Sequence, residues 1–370
     1  MSVPSIFIAA TQQNEGKTTL SLGLMGNLKL KNKNIGYIKP VGQRTVSVGN
    51  IKVDEDAVLM ERVFATGANL QDMNPVTVGQ GFTTDWIMQT RTDEHPLDES
   101  ILAAYARVSA GRDFMVIEGT GHAGVGSVLG LSNARVAKLL NASVVLVAPG
   151  GVGRPIDEVA LNVELLAREG VPLAGVVINK VQAGKYEHVR KLVTRGFSRL
   201  GIKVLGVLPY DEVLPAPTVG EVLEEIHGEL VSDSLDPAMM NTLVKQVLVG
   251  AMSTHQALDY FSPGSLIITP SDREDIILAA IGLTIADSAK NLETVAGMVL
   301  TGKMLPHPAI MDLIRHCRIP IISCPKDTYT VASQVHDLLA KIRPADQSKI
   351  EHATRLVGQY FDMAAVCPEF

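Results

Sequence analysis

The chain has 370 residues, a formal net charge of −6, and 46% hydrophobic against 19% charged residues. This length predicts two domains, and so large an apolar fraction leaves little material for disorder. Basic residues are scattered rather than clustered, which argues against a nucleic-acid partner. Aromatic residues are only 4% of the chain. The apolar mass is therefore aliphatic, as is typical of parallel strands covered on both faces.

The first ten residues, MSVPSIFIAA, contain a short apolar run with no basic region before it. This pattern indicates a buried strand rather than a signal peptide. No apolar stretch approaches the ~20 residues of a membrane helix, so we expect no membrane partner. The cysteines Cys317, Cys324 and Cys367 form no CxxC pair, which is typical of reduced thiols. We therefore expect a cytoplasmic protein.

The first part of the chain alternates short apolar runs with longer helical patterns. This alternation predicts an α/β fold with a doubly wound parallel sheet. An amphipathic helix follows the first strand, because Leu20, Leu24 and Leu28 recur every four residues. Further helices are predicted over residues 156–170 and 185–201. The predicted strands are residues 5–10, 35–41, 114–119, 143–149, 174–181 and 203–209.

A proline-rich segment, residues 209–221, marks the predicted exit from the first domain. Beyond it, strands are predicted at 265–272, 295–302 and 319–325, and helices at 273–287 and 330–342. We therefore predict a first domain over residues 1–214, a smaller α/β domain over 215–345, and a C-terminal helix and tail over 346–370.

The stretch ATQQNEGKTT, residues 10–19, follows the first strand and opens the first helix. In a phosphate-binding loop, Gly16 allows close backbone approach, Lys17 contacts the β and γ phosphates, and Thr18 offers a hydroxyl to Mg²⁺. Thr11 stands where such loops usually have a glycine, so the motif alone leaves a chance match open. The predicted nucleotide contacts of the loop are Thr11, Asn14, Glu15, Gly16, Lys17, Thr18 and Thr19.

Other charged residues lie near the ends of predicted strands. Glu118 ends an apolar strand, and Mg²⁺ bound to phosphates prefers one or two carboxylates. Asp54, Glu55 and Asp56 precede a helix, and the first two are interpreted as acids that complement its dipole. Lys39 ends the second strand, at the carboxyl edge of the sheet where ligands bind.

The loop resembles that of dethiobiotin synthetases, in which a threonine also precedes four variable residues and Gly-Lys-Thr. Further matches follow in chain order in YIKPVG, DEDAVLM, VIEGTG, VVINKV and GVLPYD. The resemblance implies that Lys39 contacts the substrate and that Asp56 and Glu118 hold Mg²⁺ with Thr18. It also implies that Asn179 reads the adenine and that the loop at Pro209 approaches the base. ATP and Mg²⁺ are the implied cofactors, although the choice between ATP and GTP stays open.

The whole chain is similar to the amino-terminal part of long bacterial phosphotransacetylases, which join such a domain to a DRTGG domain. The segment from residue 216 onward resembles that second domain, and Asp272 and Arg273 keep its first two letters. The acetyl-transferring domain of those proteins is not expected within 370 residues. In them the front half is thought to serve control and assembly. The resemblance therefore favours a nucleotide-binding regulatory protein that acts on a protein partner, with a homodimer as the default assembly.

The alternative hypothesis is an ATP-dependent ligase that phosphorylates a carboxylate or carbamate acceptor. Lys17 and Lys39 would then be the catalytic residues, acting on the phosphates and on the acceptor. A structural remnant that binds no nucleotide is a third possibility, which the intact loop disfavours. Gln12 stands where partition-type ATPases carry a second lysine, which argues against their switch mechanism.

Three further features allow two interpretations each. GTGHAG, residues 119–124, lacks the acid of a dinucleotide fingerprint about 20 residues later and is interpreted as a flexible loop that faces an anion. His122 within it either contacts a ligand or faces solvent. Arg154 either contacts a phosphate or is an exposed turn residue. Asp272 and Arg273 are either a helix cap with a surface arginine or part of an interface or ligand site.

Overall fold

The computed structural model describes residues 3–88, 96–233, 236–289, 295–338 and 340–367. It divides into two units, one formed by Met1–Asp211 with Arg343–Phe370 and the other by Glu212–Ile342. The first division falls inside the proline-rich segment 209–221. The end of the predicted tail, residues 368–370, lies outside the described residues.

The main sheet of the first unit is parallel, and the first strand of the chain lies in its interior. The strands are β1 (Ser5–Ala10), β2 (Ile35–Ile38), β3 (Val41–Gly42), β4 (Thr45–Val48), β5 (Ile51–Asp54), β6 (Val76–Thr77), β7 (Phe114–Glu118), β8 (Ser143–Pro149), β9 (Leu173–Val181) and β10 (Val204–Pro209). The main sheet has the order β10-β9-β8-β1-β7-β2, and each of its pairings is parallel. The chain changes direction across the sheet at β1, where such folds form a crevice for ligands at the carboxyl ends. The predicted doubly wound sheet is confirmed.

Helices connect these strands and cover the sheet. They are α1 (Lys17–Leu30), α2 (Glu55–Phe64), α3 (Leu70–Met73), α4 (Phe82–Ile87), α5 (Leu97–Ser109), α6 (Asn133–Leu139), α7 (Gly153–Glu169) and α8 (Tyr186–Arg199). Every residue of β7 is buried, and β1 is buried from its second residue onward. These aliphatic strands are thus covered on both faces, as their composition predicts.

The second predicted strand is shorter than expected. It ends at Ile38 rather than at residue 41, because Pro40 has no N–H to continue a ladder and the Lys39 N–H instead donates to the Met73 carbonyl at 2.7 Å. The next segment pairs elsewhere: β3 lies parallel to β6, and β4 and β5 form an antiparallel hairpin. The hairpin was not predicted, since β4 is a short strand with exposed residues and no buried alternating face.

The second unit contains a smaller sheet with helices on both faces. Its elements are α9 (Val219–Ile226), β11 (Glu229–Leu230), β12 (Gln246–Val249), α10 (Thr254–Ala257), β13 (Ser265–Pro270), α11 (Glu274–Ala289), β14 (Gly297–Thr301), α12 (Pro308–His316), β15 (Ile321–Cys324) and α13 (Thr328–Asp337). The sheet order is β11-β15-β14-β13-β12, parallel except for β11. Alternate residues of β13 enter opposite cores, Ile267 on one face and Leu266 and Ile268 on the other. The predicted smaller α/β domain is thus present, with the unpredicted β12 at its edge.

After the second unit the chain returns to the first as α14 (Gln347–Tyr360) and α15 (Met363–Val366). The sequence predicts a C-terminal helix and tail over 346–370, and α14 within this range packs directly against α1. A Cβ added at Gly23 of α1 would lie 2.4 Å from the Val357 side chain and 2.5 Å from the Ala353 carbonyl oxygen. A Cβ at Gly358 of α14 would lie 2.5 Å from the Asn27 side chain. Glycines on both helices therefore allow this close approach.

Replacing Gly23 with alanine should destabilise the first unit by about 1–3 kcal/mol, because the added methyl group meets backbone and not only a movable side chain. Gly282 of α11 is a matched control, since its Cβ would meet nothing within 4 Å. Gly282→Ala should be neutral or stabilising by up to about 1 kcal/mol. Urea unfolding of the first unit can be followed through Trp86, the single tryptophan, and of the whole chain by circular dichroism. Equal effects of the two substitutions would contradict the close packing.

Two smaller features concern the cysteines and the helices. Cys317, Cys324 and Cys367 are buried, and none of the three forms a disulfide within the described residues. Within the described ranges, no helix is long and apolar enough to cross a bilayer.

Candidate functional site

The loop predicted to bind phosphate joins the carboxyl end of β1 to the amino terminus of α1. Gly16 precedes the helix with φ 96°, a left-handed conformation that favours glycine. A Cβ at Gly16 would lie 2.2 Å from the Asn179 amide nitrogen, so a side chain is excluded for space as well. The first turn of α1 offers backbone N–H groups and the positive end of the helix dipole, which suit an anion. Lys17, Thr18 and Thr19 form the beginning of that turn.

The end of β9 supports this loop from below. The Asn179 side-chain amide donates to the Glu15 carbonyl at 2.8 Å, and the Lys180 ammonium donates to the Asn14 carbonyl at 2.5 Å. The buried Asn179 side chain therefore holds the loop through its bond to Glu15, whereas its contact with adenine stays a prediction. Pro209 ends β10 and is paired in register with the end of β9, so it lies on the same edge of the sheet.

Thr18 and Glu118 meet at this edge, as the prediction of a shared magnesium site requires. The Thr18 hydroxyl donates to one Glu118 carboxylate oxygen at 2.8 Å, and the Tyr37 hydroxyl donates to the other at 3.1 Å. Burial raises the pKa of Glu118, and the nearby Asp56 carboxylate raises it further. Burial also lowers the pKa of Lys17, against the opposite effect of Glu118. Sequence reasoning missed Tyr37, because a tyrosine in an apolar strand is usually core.

Lys39 contacts Asp56, which was predicted to share its site, and also Asp54, which was not. Its ammonium contacts the Asp56 carboxylate directly and lies 3.0 Å from the Asp54 carboxylate. Each of these three side chains is buried. Burial alone would lower the pKa of Lys39, but the carboxylates of Asp56, Glu118 and Asp54 together raise it well above its usual range. Lys39 is therefore a paired cation in this structure.

Asp54 confirms its interpretation as an acid at the start of a helix. Its carboxylate caps α2 by accepting from the Asp56 N–H at 3.0 Å. It also accepts from the backbone N–H groups of Gln43 at 3.0 Å and Arg44 at 3.2 Å. Its second role, as a partner of Lys39, depends on the turn after β2 and was not evident from sequence.

The donor set at the loop fits a magnesium ion that accompanies phosphates. Thr18, Glu118 and Asp56 would hold it, and a hydroxyl with carboxylates is the hard oxygen chemistry that Mg²⁺ prefers. Among the described residues, no group of three or more His, Cys, Asp or Glu could hold a metal ion. A phosphate-bound Mg²⁺ does not need one, because it keeps several waters and uses one or two carboxylates.

Helix α7 reaches the loop through one carboxylate. Glu158 accepts from the Thr11 hydroxyl at 2.8 Å and from the Gln12 amide at 2.8 Å. The guanidinium of Arg154 donates to the same carboxylate at 2.7 Å. Arg154 is exposed and paired with Glu158, and its contact with a phosphate stays a prediction. Thr11 has a side-chain partner that a glycine would lack.

The loop over residues 119–124 forms hydrogen bonds with two buried side-chain amides. Asn133 donates to the His122 carbonyl at 2.7 Å, and Asn162 accepts from the Ala123 N–H at 2.8 Å. The exposed His122 ring accepts from the Gly124 N–H at 3.2 Å, so one of its nitrogens stabilises the turn. The flexibility of this loop and its place beside an anion stay predictions.

In the second unit, Arg273 braces one end of the sheet. Its guanidinium forms two hydrogen bonds with Asp275, at 2.9 and 3.0 Å, and donates to the Met252 carbonyl at 2.8 Å. These contacts link the loop after β12 to the start of α11. They favour the structural interpretation of Arg273 over a ligand site.

Comparisons with known proteins agree with this geometry. The family model described as an AAA domain matches residues 4–218, which is more than half of the chain. The chain belongs to the AAA domain family. A second model, described as the DRTGG domain, matches residues 221–338 of this AAA-domain protein. The suspected architecture, a P-loop domain followed by a DRTGG domain, is therefore confirmed.

The AAA-domain protein is similar to curated phosphate acetyltransferases. It is 26% identical over 372 residues to that of Synechocystis sp., covering 97% of this chain and 50% of that protein. It is 27% identical over 369 residues to that of Nitratidesulfovibrio vulgaris, covering 97% and 50%. The chain thus spans about half the length of these relatives and corresponds to their amino-terminal part.

Among solved structures, the septum site-determining protein MinD with Mg-ADP from Pyrococcus horikoshii is 18% identical. The match covers 58% of this chain and 84% of MinD, with a TM-score of 0.36. Similarity at this level supports no transfer of function.

Proposed function

We propose that the first unit binds ATP with Mg²⁺ at the loop of residues 11–18, and that the protein acts as a regulator. The observation that carries the proposal is the contact between Thr18 and Glu118 beside Lys17, at the amino terminus of α1. A helix terminus, a lysine and a hydroxyl–carboxylate pair are together the groups that a Mg²⁺-bound triphosphate needs.

Each group has a separate task in this proposal. Backbone N–H groups of the loop and the first turn of α1 donate to phosphate oxygens, and Lys17 neutralises their charge. The lowered pKa of Lys17 reflects burial of its charge, which a phosphate would relieve. When bound, Mg²⁺ neutralises further phosphate charge. Hydrogen bonds from Tyr37 and Thr18 hold the Glu118 carboxylate beside the loop, where it would be available to Mg²⁺.

The environment of Lys39 favours regulation over ligase chemistry. A ligase would need Lys39 to contact an anionic acceptor, but its ammonium is already paired with Asp54 and Asp56. Releasing it would leave the buried Asp54 carboxylate without its counter-ion, which is costly. A regulator needs only different affinities for ATP in two states of the protein. In this proposal the second unit would transmit the change of state to a protein partner. The similarity covers half the length of each of the two phosphate acetyltransferases, which is consistent with a control module.

A turnover assay distinguishes the two functions. We expect ATP with Mg²⁺ to raise the unfolding midpoint of the first unit, followed through Trp86, while ADP release stays negligible. Because of the resemblance to dethiobiotin synthetases, the assay should include bicarbonate and the diamino acid that those enzymes use. ADP release that the acceptor stimulates, and that is lost in Lys17→Ala, would contradict the regulatory proposal and support the ligase. Absence of any ATP effect on the midpoint would contradict both.

Several finer points remain predictions within this proposal. They are the preference for ATP over GTP, the assembly as a homodimer, the protein partner and the cytoplasmic location.

A further inference from the structure

The carboxylate of Glu158 accepts hydrogen bonds both from the proposed nucleotide loop and from its own helix, α7. Thr11 and Gln12 lie in the loop, whereas Glu158 and Arg154 lie one turn apart on α7. One oxygen of Glu158 accepts from Thr11, and the other accepts from both Gln12 and Arg154, at 2.7–2.8 Å. Three donors from two separate segments therefore converge on Glu158.

The charge of this carboxylate is fixed by its donors. Partial burial acts to raise the pKa of Glu158, but the hydrogen bonds from Arg154, Thr11 and Gln12 lower it below its usual range. Glu158 is therefore ionised at neutral pH. An ionised carboxylate beside a phosphate loop repels phosphate, so it needs a nearby cation. Arg154 supplies one, and it also opposes the rise that burial causes in the pKa of Glu15.

We propose that Glu158 is a positioning residue that holds Thr11 and Gln12 in the conformation that accepts phosphates, and that Arg154 neutralises it. This inference rests on the proposed function, since it assumes that ATP binds at the loop. It also explains the residue at position 11. A threonine in place of the usual glycine gives α7 a side chain to hold, which glycine does not.

The two residues should therefore respond differently to substitution. Removing Arg154 leaves the loop held but exposes the ATP phosphates to an uncompensated negative charge. Removing the charge of Glu158 frees the loop but takes that repulsion away. Consequently Arg154→Gln should weaken ATP binding only while Glu158 keeps its charge, which no purely structural role predicts.

The test uses Arg154→Gln, Glu158→Gln and the double variant in the full chain. Arg154→Gln should weaken ATP binding by about 3- to 10-fold, the range expected for one partly screened charge. In the Glu158→Gln background the same substitution should change ATP affinity little. In the absence of nucleotide, Glu158→Gln should raise hydrogen exchange of the amides of residues 11–16 by about tenfold, because the holding contacts are weakened. The pair Glu187 and Arg190 on α8 is the matched control, since it is an exposed ion pair with no contact to the loop among its hydrogen bonds.

Each outcome separates the inference from the proposed function. If the wild type binds no ATP, the proposed function fails, and the exchange experiment alone still decides whether Glu158 holds the loop. Unchanged exchange in Glu158→Gln overturns the holding role. Arg154→Gln affinity equal to that of Arg190→Gln, or an Arg154→Gln effect that is just as large in the Glu158→Gln background, overturns the neutralising role.

Discussion

Replacing Lys39 with alanine is expected to lower the free energy of unfolding of the first unit by about 3–5 kcal/mol. The reason is the burial of Asp54 and Asp56, whose counter-ion is the Lys39 ammonium. Without this ammonium, the Asp54 and Asp56 carboxylates stay buried but lose the Lys39 cation beside them. Glu118 is also near, since it contributes to the raised pKa of Lys39 in the wild type. A matched control is Lys203, whose pair with Asp362 at 3.0 Å is about half exposed. Lys203→Ala should cost at most about 1 kcal/mol.

The destabilisation should depend on pH with a defined sign. In the wild type, the pKa of Lys39 is raised in the folded state, so its contribution is complete at neutral pH and is lost only as pH rises through the raised value. In the variant, Glu118 loses the Lys39 charge that holds its pKa down, so this carboxyl group should bind a proton more readily in the folded state. The pKa of Glu118 is already raised by burial, and a raised carboxylate pKa favours the folded state as pH falls through it. The stability gap between variant and wild type should therefore narrow between about pH 8 and pH 5.

Urea unfolding followed through Trp86 fluorescence at both pH values measures this gap directly. A loss no larger than that of Lys203→Ala would contradict the buried ion pair. A gap that widens as the pH falls would contradict the role assigned to the carboxylates. Because folding is affected, a loss of activity in Lys39→Ala would not by itself assign a catalytic role to Lys39.

Replacing Lys17 with alanine should have the opposite profile, with little effect on folding and a large effect on ATP. We expect ATP affinity to fall roughly 10- to 150-fold, since a hydrogen bond to a charged group contributes about 1.5–3 kcal/mol. The free protein should keep its stability, because burial disfavours the Lys17 charge and lowers its pKa. The shift of the unfolding midpoint over a series of ATP concentrations gives the affinity of each variant. Lys203→Ala again serves as the control, and equal ATP affinities of the two variants would remove Lys17 from the site.

The part of the site that sequence reasoning found is contiguous or lies at strand ends. Gly16, Lys17 and Thr18 form one motif between a strand and a helix, and Glu118 ends an apolar strand of the same sheet. Parallel strands bring such ends to one edge, so the contact between Thr18 and Glu118, 100 residues apart, was predictable.

The supporting contacts depend on tertiary detail that no local pattern contains. Tyr37 reaches Glu118 across 81 residues, Glu158 reaches Thr11 across 147, and Asn179 reaches Glu15 across 164. Each of these side chains also has an ordinary interpretation as core, helix surface or strand end. The pairing of Lys39 with Asp54 was missed for a related reason, because it requires the chain to leave the sheet after Ile38.

The return of the chain to the first unit as α14 could likewise not be predicted from the sequence. Its packing on α1 depends on small residues such as Gly23 and Gly358, which are unremarkable in sequence. Family resemblance indicated two domains in order along the chain, whereas the first unit is completed by residues after the second. The helix that begins at the nucleotide loop is therefore packed against the last long helix of the chain.

The central claim is that ATP with Mg²⁺ binds at the loop of residues 11–18. Isothermal titration of the wild-type chain with ATP, in Mg²⁺ and then with a chelator, tests it most directly. The account predicts saturable binding that is tighter with Mg²⁺ and strongly weakened in Lys17→Ala. Absence of saturable binding, or binding that neither Mg²⁺ nor Lys17→Ala changes, would contradict it.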